Sequence, residues 1–199
     1  MSEQIDPLRV LILVGNRAKQ STTRIALERC AAILNEEGVE VDIFDCAQEE
    51  LSLFDVQTAY SNENYSELKA RVSSADVLVI GTPDYHGSMS GATKNFLDHF
   101  WKEYAGKLFV SIVGSFEKGL TVHDQIRTVA RQCYAWSLPY GVSFHEKSDF
   151  DEGQTIGESL EKRLRMVSAD ILRYGRLLSN QRRSDLTSTE DGFLAHYRS

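Results

Sequence analysis

Five times along the chain a short apolar run is followed by a segment with helical spacing, and this alternation restricts the fold more tightly than anything else in the sequence. Leu8 to Val14 is apolar except for Arg9 and is closed by Gly15 and Asn16. From Thr22, the residues Leu27, Cys30, Ala31 and Leu34 fall at the i, i+3, i+4, i+7 spacing of a half-buried helix. Gly38 then stands where a glycine most readily ends one. Val39 to Phe44 alternates as a second strand, residues 46 to 62 are polar and irregular, and Tyr65, Leu68, Val72 and Ala75 mark a second helix. Val77 to Ile80 is a third strand, apolar on both faces, and Pro83 is expected to end it because proline lacks an N–H and holds Thr82 extended. Thr93 to Tyr104 reads as a third helix with Leu97, Phe100, Trp101 and Tyr104 on one stripe. Leu108 to Val113 is a fourth strand, and Val122, Ile126, Val129 and Cys133 mark the helix after it. Leu138 to Phe144 is a fifth strand, and a long last helix covers Ile156 to Leu178.

Strict alternation implies a parallel sheet with right-handed crossovers and helices on both faces. Five strands suit the order 2-1-3-4-5 of a three-layer, flavodoxin-like α/β fold, whose ligand crevice lies outside the strand carboxyl ends near strands one and three. A length of 199 residues is expected to make one domain, with a core over residues 8–178. From Ser179 the chain is polar, with Arg182, Arg183 and Asp185, and reads as a tail or as an arm laid on a partner. Function is expected in three loops, at residues 15–22, 82–92 and 114–121.

Several classes fall away. A net charge of −7 without a Lys/Arg block argues against nucleic acid. No stretch approaches the roughly 20 consecutive apolar residues that span a bilayer, so no membrane partner is expected. The first seven residues have neither a basic nor an apolar leader region and do not read as a secretory signal. Cys30, Cys46 and Cys133 show no metal-ligand spacing and no disulfide framework, which fits the cytoplasm.

The first loop, from Gly15 to Thr23, leaves a buried strand and opens a helix, so free N–H groups and a positive dipole end face the crevice. Hydroxyls at Ser21, Thr22 and Thr23 and the Arg17 guanidinium can hold a phosphate there; alternatively Ser21 or Thr22 only caps the helix and Arg17 lies in solvent. Neither the G-x-G-x-x-G dinucleotide fingerprint nor a P-loop is present. The second loop, from Gly81 to Gly91, sets Tyr85, His86 and two glycines beside the crevice, where a flat ligand can lie on Tyr85 and bond to backbone N–H groups, unless it is a plain surface loop. It is not a nucleophile elbow, since Met89 stands where that motif needs serine. The third loop, Gly114 to Gly119, can wall the same space. His99 and His123 lie on helices without a metal-spaced partner, and His145, at the end of strand five, is either pocket or surface.

These residues carry a resemblance. Gly15, Arg17, Ser21, Thr23 and Arg24, followed by the pattern P-x-Y-x(8)-K-N-x-x-D from Pro83 through Asp98, resemble the NADPH-dependent FMN reductase family over residues 8 to 145. The resemblance implies FMN as cofactor and NADPH or NADH as electron donor. It implies Arg17, Ser21 and Thr23 at the FMN phosphate, Pro83, Asp84, Tyr85, His86 and Gly87 along the ring, and Ser115 and Phe116 beside it. Lys94, Asn95 and Asp98 then fix the third helix beneath the loop. The family often has Asn at the position of His86 and a more glycine-rich third loop.

The activity implied is ping-pong transfer of electrons from NAD(P)H to a small oxidant such as a quinone, azo dye, free flavin or metal ion. The flavin carries the chemistry, no side chain is required as acid or base, and His86 is the one candidate modulator. The aromatic stripe on helix 93–104 implies a homodimer or homotetramer through that helix. The alternative is a non-enzymatic FMN-binding or electron-carrier protein of the same fold; a hydrolase lacks its elbow serine.

Overall fold

The computed structural model describes residues 7–61, 64–151 and 154–198. The leader reading concerns residues 1–7, of which 1–6 lie outside them. Among the described residues no helix is long and apolar enough to cross a membrane.

A parallel sheet is built from β1 (Arg9–Val14), β2 (Glu40–Asp45), β3 (Val77–Tyr85) and β5 (Leu108–Gly114), in the spatial order β2-β1-β3-β5. The short β4 (Ser88–Met89) folds back antiparallel on β3. Beyond β5 lie two short pieces, β6 (Trp136–Ser137) and β7 (Val142–Phe144), both parallel to β5. The helices are α1 (Thr22–Glu36), α2 (Tyr65–Ser74), α3 (Gly91–Asp98), α4 (Leu120–Gln132), the single turn α5 (Glu146–Asp149) and α6 (Glu158–Thr187).

The apolar runs are continuous because both faces of the sheet are covered. Val10, Ile12 and Val14 pack with α1 and α6 on one side, through Leu27, Cys30, Leu164 and Ile171. Leu11 and Leu13 point the other way, towards Leu68 and Val72 of α2, Phe96 of α3 and Ile126 of α4. The expected three-layer architecture and strand order are therefore present.

Four expectations about the elements need correction. Pro83 does not end β3. The ladder with β5 continues through Pro83 and Gly114, and Asp84 and Tyr85 then pair with Met89 and Ser88. Proline is tolerated because β1 stops opposite Gly81, so that side of β3 is already a free edge. The fifth strand is divided, since Pro139 interrupts it between β6 and β7. The third helix ends at Asp98, where His99 Nδ1 bonds the Asn95 carbonyl, and a separate turn covers Lys102–Tyr104. As a result Phe96, Phe100 and Tyr104 are core, and of the expected interface stripe Trp101 alone is exposed, at 58%.

The last correction concerns the tail. Helix α6 continues nine residues past Leu178, to Thr187. Its polar end finds partners just before the strands: Arg182 Nε donates to the Ala105 carbonyl, ahead of β5, at 2.8 Å and Arg183 meets Asp76, ahead of β3, at 3.3 Å. Residues 188–198 then fold back, with Leu194 buried and Phe193 edge-on to Trp136. Polar composition here marks hydrogen bonding to strand ends rather than a free tail.

Candidate active site

The carboxyl ends of β1, β3 and β5 release the three expected loops on one rim of the sheet. Gly15 must lie close to its neighbours: its N–H donates to the Gly81 carbonyl at 2.8 Å, and its own carbonyl accepts from Ser90 Oγ. Ser90 also caps α3 by accepting from the Thr93 N–H at 3.0 Å. After Gly15, Asn16 makes a side-chain turn to the Ala18 N–H and donates to Ser21 Oγ at 2.8 Å. Ser21 is the residue before α1, yet its side chain caps nothing. The first-turn N–H groups of α1 are therefore left open to the cleft, and the Ser21 proton is free to donate.

Loop one is held from beneath by Arg24. Its guanidinium makes a bidentate pair with Asp45 at 2.8 and 2.9 Å and donates to the Ala18 and Lys19 carbonyls at 2.9 and 2.6 Å. Burial would raise the Asp45 carboxyl, but hydrogen bonds from Arg24, the Ala47 N–H and Gln48 outweigh it and hold the group below the ordinary carboxylate value. The same bond to Asp45 raises Arg24.

Loop two is a hairpin rather than an irregular loop. His86 and Gly87 form its two-residue turn with φ of 58° and 79°, the pair of positive angles that a type I′ turn requires. Asp84 joins the loops: one oxygen accepts from the Gly87 N–H at 2.8 Å and the other from Ser115 Oγ at 2.9 Å. In loop three, Ser115 also donates its N–H to the Phe144 carbonyl at 2.9 Å. His123 supports this wall from behind. Ser143 Oγ donates to the Lys118 carbonyl, so it accepts from His123 Nε2 at 2.9 Å, and His123 Nδ1 accepts from Ser111 Oγ at 2.7 Å. Burial, helped by Arg127, lowers the His123 pKa and keeps the ring neutral.

Between these loops opens a cleft of about 240 Å³. Ser21, Thr22 and Thr23 line one end, and Pro83, Asp84 and Tyr85 line one side. Ser115 and Phe116 of loop three continue the lining from Asp84, to which Ser115 is bonded. Two unburied aromatic rings stand at its mouth, Tyr85 at 54% and Phe116 at 78% exposure. A hydroxyl-rich helix start at one end and aromatic rings flanking the opening suit a molecule with a phosphate and a flat ring.

A family profile fits residues 8–149, that of the NADPH-dependent FMN reductases. The chain belongs to the NADPH-dependent FMN reductase family. It is thus an FMN-dependent oxidoreductase that draws on NADPH. An FMN-dependent NADPH-azoreductase of Staphylococcus aureus is 28% identical over 155 residues, covering 74% of this chain and 81% of that protein. Among solved structures, RosB with a bound intermediate superposes with a TM-score of 0.71 at 15% identity, over 94% of this chain and 90% of that one. The flavoenzyme FerB of Paracoccus denitrificans, an NAD(P)H:acceptor oxidoreductase, gives 0.69 at 18% identity, over 84% and 97%. These structures share the fold.

For this FMN reductase, seven of the ten expected site residues converge on the one cleft: Ser21, Thr23, Pro83, Asp84, Tyr85, Ser115 and Phe116. Arg17 lies outside its lining, exposed, in an adjoining hollow of about 290 Å³ that it shares with Tyr85 and Gly91. His86 and Gly87 form the hairpin tip and do not line the cleft. A fourth wall decides the two alternatives for His145 in favour of the pocket and adds Glu146, after β7, and Gln154, which were not anticipated. His145 stacks edge-on to Phe116 at 5.3 Å. The rule that ligands sit beyond strand carboxyl ends applies to the fifth strand as much as to the fourth and would have indicated it.

Proposed function

We propose that the cleft holds FMN with its phosphate at the start of α1 and its ring between Tyr85 and Phe116. The protein would then pass electrons from NADPH or NADH to a small oxidant by a ping-pong mechanism. The observation that carries this reading is the uncapped start of α1 opening into a cleft mouthed by two exposed aromatic rings. The donor set fits the cofactor. Ser21, Thr22 and Thr23 offer hydroxyls and N–H groups to a dianion, and Arg17 and Lys19, both exposed and without an ion pair among the described residues, are the cations of loop one available to it.

Bound FMN supplies the two-electron redox chemistry. The chain's own residues do the rest. Asp84 and Ser115 lock loops two and three together, and Tyr85 and Phe116 border the flavin on the side that stays open to donor and oxidant. The open mouth admits donor and oxidant in turn, which is the basis of the ping-pong order. Quinones and azo dyes fit as oxidants because they are flat and can lie against the same rings; free flavin and metal ions are the other classes to compare. His86, at the tip, modulates rather than takes part. Anaerobic addition of NADPH to the FMN-loaded protein should bleach the yellow flavin band, and a quinone or azo dye should restore it. A protein that binds FMN and keeps its colour with NADPH and NADH is a carrier instead.

A second copy is proposed to cover the face around Trp101. Asn95 of α3 bonds the Ser52 carbonyl and the Phe54 N–H, so the segment carrying the exposed Leu53 and Val56 is fixed to the same helix. Sedimentation should give a dimer or tetramer for the native chain and a smaller species for Trp101→Glu. Native size in that variant would place the interface elsewhere. Phe100 does not serve for this test, being core.

A further inference from the structure

We propose that Gln125 of α4 is the positioning residue of the loop-two hairpin, latching it where it can flank the flavin. The proposal rests on the flavin reading of the cleft. The hairpin itself is weak. It has two paired positions, Asp84 with Met89 and Tyr85 with Ser88, and a turn that holds His86, a residue with a β-carbon, at positive φ. Such a hairpin does not keep one geometry by its own ladder.

Gln125 supplies what the ladder lacks. Its Oε1 accepts from Ser88 Oγ and from the Met89 N–H, each at 3.1 Å, and its Nε2 donates to the Gly87 carbonyl at 3.3 Å. The amide orientation is fixed by its partners, because the Met89 N–H can only donate and the Gly87 carbonyl can only accept. One side chain thus grips three consecutive residues of the hairpin from a helix rooted in the core through Val122, Ile126 and Ala130. The other ends of the hairpin are tied to loop three, through Asp84 and Ser115, and to α3, through Thr82 Oγ1, which accepts from the Ser90 N–H at 3.0 Å. Without Gln125 the tip keeps only the two-position ladder and the Gly87–Asp84 bond, and the exposed Tyr85 ring moves with it.

The test has two arms. In the first, amide exchange is followed at Gly87 in the protein without FMN. Its N–H bonds to Asp84 and not to Gln125, so its protection reports closure of the hairpin rather than the deleted contact. Gln125→Leu, which keeps the bulk, should lower that protection about tenfold, the loss of hydrogen bonds of ordinary net strength. Gln125→Glu keeps both donors on Oε1 and sets a carboxylate against the Gly87 carbonyl. Its deficit relative to the native protein should shrink as the pH is lowered from about 8 to about 5, as the carboxyl gains a proton to donate. Asp124 on α4 itself and Lys94 on α3 line this region, and Asp84 and His86 lie at the hairpin turn; all four are common to both proteins, so their own titration cancels in the ratio. A residue that only fills space gives a deficit that pH does not move.

In the second arm FMN is titrated by fluorescence, and the Kd should rise several-fold in Gln125→Leu, with near-native affinity at low pH in Gln125→Glu. Native Gly87 protection in Gln125→Leu, or native FMN affinity despite lost protection, overturns the proposal. Failure of the native protein to bind FMN overturns the flavin reading, and the proposal that depends on it, while the first arm still reports whether the latch exists.

Discussion

Replacing Arg24 with leucine is expected to destabilise the protein by about 3 to 5 kcal/mol, the range for removing one partner of a buried ion pair. Both side chains of the Arg24–Asp45 pair are about nine-tenths buried, so Asp45 would be left as an uncompensated charge. Two loop-one carbonyls, of Ala18 and Lys19, would lose their donor in the same step. The urea midpoint should therefore fall sharply, and FMN affinity should fall beyond what the stability loss explains, because the segment between Gly15 and Ser21 is no longer held. The pH dependence has a definite sign. Asp45 is held below its ordinary value in the native protein, so the stability it contributes is present above about pH 4 and is lost as the pH falls through the lowered value. In Arg24→Leu that acid-sensitive contribution is gone, and the gap between the two proteins should narrow as Asp45 protonates. Arg24→Lys should recover only part, since an ammonium cannot make the bidentate fork. A gap that stays constant down to acid pH would show that Arg24 acts by packing alone.

The second large effect is expected at Gly15. A β-carbon there would lie 1.9 Å from Thr93 Oγ1 and 2.8 Å from the Gly81 carbonyl. Thr93 is fully buried and the carbonyl is backbone, so neither can yield cheaply. Gly15→Ala must lift loop one off α3, breaking the bond to Gly81 and the contact with Ser90. Overpacking of this kind costs about 1 to 3 kcal/mol, and FMN affinity should drop at least as far because the phosphate end moves with the loop. Gly91→Ala is the control. Its β-carbon would meet nothing within 4 Å, so stability and FMN binding should stay native. Equal behaviour of the two variants would mean that the close approach at Gly15 does not set the site.

The architecture was legible because burial on both sheet faces writes continuous apolar runs into β1, β3 and β5, and helix spacing between them leaves few topologies. What escaped depends on residues distant in sequence. Pro83 looked like a strand end because nothing local reveals that β1 stops opposite Gly81. Tyr104 and Phe100 looked like an interface stripe because a run of aromatics reads the same whether it meets a partner or its own sheet. The site was legible where its residues fall in loops after strands, as with Ser21, Tyr85 and Ser115. It was not legible where a helix residue reaches sideways: Gln125 reads as an ordinary polar position on an amphipathic helix until the fold brings Gly87 beside it. His123 likewise takes its meaning from Ser111 and Ser143, each twelve or more residues away.

The divided fifth position of the sheet has a consequence for how copies of this chain meet. A long, even outer strand is a template on which another chain can add by backbone pairing, the usual first step of edge-driven aggregation. Here the outer edge offers β6, with two residues, and β7, with three, rather than one continuous row. Between them Pro139 has no N–H to give, and its carbonyl already accepts from Arg127 Nη2 at 2.7 Å. An incoming strand would find its register broken midway, so this edge is guarded against self-templating without a covering helix.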